Sequence, residues 1–124
     1  MAQAGLARAL CDLASPTQQQ LDRALELAER SRSQQPESPE AASALGRVLY
    51  RRQDYAKAAE VFEQAVKSDS AGPRRAQSLY DLAVSYQALG DLPRAREHVE
   101  KSLADAADFP AREQALSLQE KLAG

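Results

Sequence analysis

Apolar and small residues recur along this chain at spacings of three and four. Ala42, Leu45, Gly46 and Leu49 form one such run, and Ala58, Val61, Phe62, Ala65 and Val66 form the next. On a 3.6-residue period these positions share one helix face. The spacing therefore predicts two amphipathic helices, one ending near Gln53 and one opening at Asp54, with small residues where they cross. The same pattern runs in both directions. Upstream, Leu6, Leu10 and Leu13 predict a helix over 2–14, and Leu21, Ala24, Leu25 and Ala28 predict a second. Downstream, Leu79, Leu82, Ala83 and Tyr86 predict a fifth helix, and Ala95, Val99, Ser102 and Leu103 a sixth. Ala115, Leu116 and Leu122 predict a seventh, opening at Asp108 or at Phe109-Pro110.

Local signals punctuate these helices. Ser15-Pro16 breaks the first, and Thr17 with Gln20 three residues on reads as a capping box for the second. Ser38 followed by Pro39 is an N-cap with proline at the first helical position. Asp54 and Asp91 are expected to cap the helices they precede, and Gly90 to close the one before it. Seven helices joined by short turns leave no room for a sheet, so the expected fold is all-α.

The runs repeat at a fixed distance. Leu21 to Tyr55, Ala24 to Ala58 and Ala28 to Phe62 are each 34 residues, whereas Leu45 to Leu82, Ala58 to Ala95 and Phe62 to Val99 are each 37. The three extra residues fall in the Ala71-Gly72-Pro73 connector. Two helices per unit of about 34 residues is the tetratricopeptide period, and the sequence resembles that family over almost its whole length. The middle unit matches best, through Leu45-Gly46, Leu49, Ala58, Phe62 and Ala65. It departs where Ala42 replaces an aromatic and Ser70 a proline. In the third unit Val99 stands for the aromatic and Ser102 for the alanine. In the first, Asp12 occupies the small-residue position.

The resemblance implies a right-handed superhelical stack of antiparallel helix pairs in a single domain. Its repeats span 2–36, 37–70 and 74–107, with a capping helix over 109–123. Met1 opening almost directly onto a helix suits a domain excised from a longer chain. A softer likeness, through Leu21–Ala28, Leu45–Tyr50 and Phe109–Ala115, is to repeat arrays at the C-terminal end of larger bacterial proteins of envelope assembly, polysaccharide export or pilus biogenesis.

Composition supports the helical reading and narrows the function. Of 124 residues, 44% are hydrophobic and 27% charged, a foldable balance rich in helix formers, with five valines, one threonine and no isoleucine. A net charge of −2 argues against nucleic acid. No segment reads as a membrane span or a signal peptide, so the chain carries no targeting signal that would set its compartment. Chemistry is sparse. Cys11 is the only cysteine and lies on an apolar stripe, where a small buried hydrophobe is expected. His98 is the only histidine, has no ligand cluster around it, and is expected on an exposed helix face. No nucleophile elbow or glycine-rich phosphate loop is present. Neither catalysis nor a metal or other cofactor is expected.

What remains is a surface for protein. In the tetratricopeptide family the first helix of each pair lines a concave groove. Transferred to this chain, that face presents Glu40, Ser43, Arg47, Tyr50 and Arg51 from one repeat, and Gln77, Tyr80, Val84 and Gln87 from the next. Tyr and Arg dominate interface energies, and Arg47 with Arg51 one turn apart suits a carboxylate. Both tyrosines are equally open to a packing role. The expected partner is a peptide or helical segment of another protein, with some acidic character. The Asn-and-Lys clamp of chaperone-binding members is not expected, because the chain has no asparagine and its four lysines lie off this face. Two other readings stand beside this one: self-association through Leu6, Leu10 and Leu13, and an accessory domain of an enzyme lying outside this chain.

Overall fold

The computed structural model describes residues 6–7 and 16–123. Among them are six helices and no strand: α1 Gln18–Gln34, α2 Pro39–Arg51, α3 Tyr55–Lys67, α4 Pro73–Ala88, α5 Leu92–Asp105 and α6 Arg112–Ala123. Each packs on the next, and α2 also reaches α4, so the chain is an all-α repeat solenoid. No helix among the described residues is long and apolar enough to cross a membrane. Most of the predicted first helix, with Leu10, Cys11, Asp12 and Leu13, lies outside the described residues. Leu6 is 49% exposed, while Ala7 is fully buried among Ala24, Leu27, Ala28 and Val48.

The caps show why the helices begin where they do. At α1 the Thr17 hydroxyl accepts from Gln20 N–H at 3.1 Å, and the Gln20 side chain accepts from Thr17 N–H at 2.9 Å, which completes the capping box. Ser38 accepts from Ala41 N–H at 3.1 Å, and Asp91 from Arg94 N–H at 3.3 Å. Asp54 occupies the N-cap of α3 but makes no side-chain cap bond. The ends of α2 and α4 are built alike. Gln53 N–H donates to Tyr50 O and Asp54 N–H to Leu49 O, while 37 residues later Gly90 N–H donates to Gln87 O and Asp91 N–H to Tyr86 O. Both are Schellman closures. Each needs a left-handed residue, supplied by Gly90 (φ 81°) in one and by Gln53 (φ 67°) in the other.

Burial follows the predicted stripes, with three shifts. In α1 the buried residues are Ala24, Leu27, Ala28 and Ser31, so the buried face is turned toward Leu27, with Leu21 and Leu25 only partly buried. The C-terminal helix begins at Arg112 rather than at Asp108 or Phe109. Phe109 is drawn into the core beside Val99, Ala115 and Leu118, and the chain turns through Pro110 and Ala111 before coiling. That offset buries Leu118 and leaves Leu116 exposed. The third shift is His98, which is buried, not exposed (8%). Its Nδ1 lies 2.8 Å from the Arg94 carbonyl, its ring is tilted against Tyr86 at 5.3 Å, and Nε2 stands 3.6 Å from Glu63.

An ion pair ties the two helices of the third repeat together. Arg75 at the start of α4 grips Asp105 at the end of α5 through two bonds of 2.9 and 2.7 Å, the fork geometry that suits Arg to carboxylates. Ser102, standing where the repeat pattern has alanine, is fully buried, and its hydroxyl has no hydrogen-bond partner among the described residues. Leaving a buried hydroxyl unsatisfied carries a desolvation cost. Ser102→Ala is therefore expected to stabilise the fold by about 1 kcal/mol, read as a rise in thermal midpoint. An unchanged or lower midpoint would mean that the hydroxyl is satisfied in solution.

Candidate functional site

The groove is formed where α2 and α4, the first helices of successive pairs, lie side by side and the C-terminal segment closes one end. It holds about 600 Å³. From α2 come Arg47, Tyr50 and Arg51, and from α4 come Gln77, Tyr80, Asp81 and Val84; Phe62 of α3 reaches it from beneath. Pro110, Ala111 and Gln114 make the end wall.

Of the nine residues expected on this face, six line the groove: Arg47, Tyr50, Arg51, Gln77, Tyr80 and Val84. The other three do not. Ser43 is buried at 7% exposure, packed into the array where a partner cannot reach it. Glu40 sits a turn toward the α2 N-terminus, near enough to Arg74 to act on its charge. Gln87, one turn past Val84, is half-buried near the Gly90 turn. By spacing all three share the helix faces of Arg47 or Val84, yet none of them lines the concavity.

Asp81 and the end wall were not anticipated. Asp81 is buried on α4, with Oδ1 accepting from Gln77 Nε2 at 3.2 Å and Oδ2 lying 3.5 Å from Arg47 Nη1. Gln77 is also a tether, because its Oε1 accepts from Ala111 N–H at 2.9 Å. One polar chain thus crosses the floor, from the Ala111 amide through Gln77 and Asp81 to Arg47. A sequence signal for Asp81 existed: it lies four residues after Gln77 on the same helix face, whereas its counterpart one repeat earlier is Ala44.

The aromatic side chains do both things expected of them. Tyr50 packs edge-on against Tyr55 at 5.1 Å between ring centres and still lines the groove. Tyr80 packs against the cluster of Ala76, Ala83, Val99 and Phe109. Burial holds the Tyr50 phenol above its ordinary range, with Tyr55 and then Asp81 adding to the effect. Burial does the same for Tyr80, followed by Asp81 and Tyr50. Both phenols are therefore neutral hydrogen-bonding groups at physiological pH. Among the described residues no cluster of His, Cys, Asp and Glu is arranged to hold a metal ion. The groove presents guanidinium, carboxylate, amide, phenol and apolar surface.

Stacked helix pairs at this period, with a groove lined by the first helix of each pair, define a tetratricopeptide-type repeat protein. Repeats of this class generally mediate protein–protein interaction and are typically non-enzymatic scaffolds. A family model described as anaphase-promoting complex, cyclosome, subunit 3 matches residues 17–102, and the chain belongs to that family. The match runs from the Thr17 cap into α5, leaving the groove's end wall beyond it. Comparison with curated proteins gave no match.

Proposed function

We propose that the chain is a scaffold module that holds a segment of another protein in the groove between α2 and α4. The observation that carries this reading is the convergence of Tyr50 and Arg47 from one repeat with Tyr80 from the next on a single concavity of about 600 Å³. Rigid, half-buried tyrosines and guanidinium groups are the side chains that most often anchor an interface. The repeats over 2–36, 37–70 and 74–107, capped by 109–123, act as one unit in this reading. The matched family takes its name from a subunit of a multiprotein complex, and membership of a larger assembly is the setting proposed for this chain.

The test is affinity capture from the source lysate with the parent domain and with the Arg47→Ala/Tyr80→Ala double variant. Losing two anchors of this kind is expected to weaken capture at least tenfold. A circular dichroism melt of the variant separates lost binding from lost folding. Undiminished capture by a folded double variant would place the partner surface elsewhere.

A further inference from the structure

We infer that Asp81 is an internal competitor for the ligand of the groove, occupying the guanidinium that a partner's carboxylate would otherwise take. The inference rests on the groove being the partner site and specifies the chemistry of its occupant: an acidic protein segment.

Charge supports that choice. The ionic side chains lining the groove are Arg47, Arg51 and Asp81, an excess of one positive charge. The one carboxylate among them already faces Arg47, so the structure shows the kind of group this guanidinium accepts. The contact is loose. Arg47 Nη1 lies 3.5 Å from Asp81 Oδ2, whereas charge-assisted pairs ordinarily close to about 2.7–2.9 Å. Elsewhere in the same chain Arg75 closes on Asp105 at 2.7 Å in a two-bond fork. A long contact forfeits much of the charge-assisted energy and is correspondingly easy to exchange.

The exchange leaves neither group stranded. Asp81 retains the Gln77 amide at 3.2 Å when Arg47 turns away, so its carboxylate is not abandoned in the interior. Arg47 is more exposed than Asp81, with side-chain exposures of 26% and 9%, so the cation is the member that an incoming carboxylate meets first. Tyr50 and Tyr80 flank it with neutral phenols and apolar ring surface. A segment placing a carboxylate on Arg47 and an apolar group against Val84 and Ala111 uses both halves of this lining.

Asp81→Asn tests the competition directly. The amide keeps the shape and the acceptor for Gln77 but removes the charge that holds Arg47. The probe is an end-capped hexaglutamate peptide, with hexaglutamine as the neutral control, titrated into the nitrogen-15-labelled domain and read by NMR. Asp81→Asn is expected to bind hexaglutamate roughly 5- to 30-fold more tightly than the parent. The largest shifts are expected around Arg47, Tyr50 and Tyr80, and Arg47→Ala is expected to lose the binding. Hexaglutamine should shift nothing. If the parent binds hexaglutamate at these residues and Arg47→Ala abolishes it, but Asp81→Asn binds equally or less well, the competition is overturned and the groove reading survives. If neither the parent nor Asp81→Asn binds the acidic probe at the groove, the acidic occupant is overturned as well, while lysate capture with the double variant still judges the groove. Asp81→Ser, which also removes the charge and retains a hydroxyl for Gln77, repeats the test if the Asn variant does not fold.

Discussion

Phe62→Ala is expected to cost about 3–5 kcal/mol of folding free energy, the range for deleting a buried aromatic. No other substitution in this chain is expected to do as much damage. Phe62 is the largest fully buried side chain among the described residues, at 1% exposure. Its neighbours in the central cluster include Leu49, Leu82, Tyr86 and Ala95, drawn from α2, α4 and α5. A void at that place would sit where two repeats meet, with no single helix able to collapse into it. Domains of this size have only about 5–15 kcal/mol in total, so the variant should be marginal at physiological temperature. Chemical denaturation measures the loss. A cost below about 1 kcal/mol would show that the ring is not the pin between repeats that its burial indicates.

Gly46→Leu attacks the same contact from the other side and is expected to cost about 1–3 kcal/mol. A β-carbon built on Gly46 would lie 2.6 to 2.8 Å from three atoms of the Phe62 ring, well inside van der Waals contact. At 1% exposure the ring has little room to give way. Even Gly46→Ala should destabilise, against the usual gain of alanine over glycine within a helix. Coupling supplies the sharper test. Combined with Phe62→Leu, which removes the obstructing edge, Gly46→Ala should lose most of its penalty, and the double-mutant cycle should show an interaction term of about 1 kcal/mol or more. Simple additivity would mean that the two residues do not oppose each other.

The sequence made each member of that pair legible as a packing residue, because both are fixed by the repeat, but it did not pair them. Gly46 and Phe62 stand at motif positions, and the two-helix unit explains why one is small and the other large. The caps at Thr17 and Ser38 were equally plain, being local chemistry over three or four residues. What could not be read depended on distant neighbours. His98 looked solvent-facing because its helix period does not reveal that Tyr86 of α4 and Glu63 of α3 close over it. Gln77 looked like a groove residue and does line the groove. Its second role, holding the Ala111 amide 34 residues away, leaves no trace in periodicity. The start of α6 was misplaced because Asp108 and Phe109-Pro110 resemble a helix opening, whereas burial of Phe109 holds them in a connector. Ser43 was misjudged because small residues on α2 pack inward over a broader face than the motif specifies.

The Gln77 tether has a consequence for changing this surface. The same amide oxygen that stabilises the C-terminal helix also fixes where Pro110, Ala111 and Gln114 stand. Under the function proposed above, heat resistance and partner choice draw on one contact, and a variant library sorted for either trait would carry the other along with it. A hardier α6 redefines the shape of the cleft, and a cleft reshaped for a new partner loosens or tightens the end of the array.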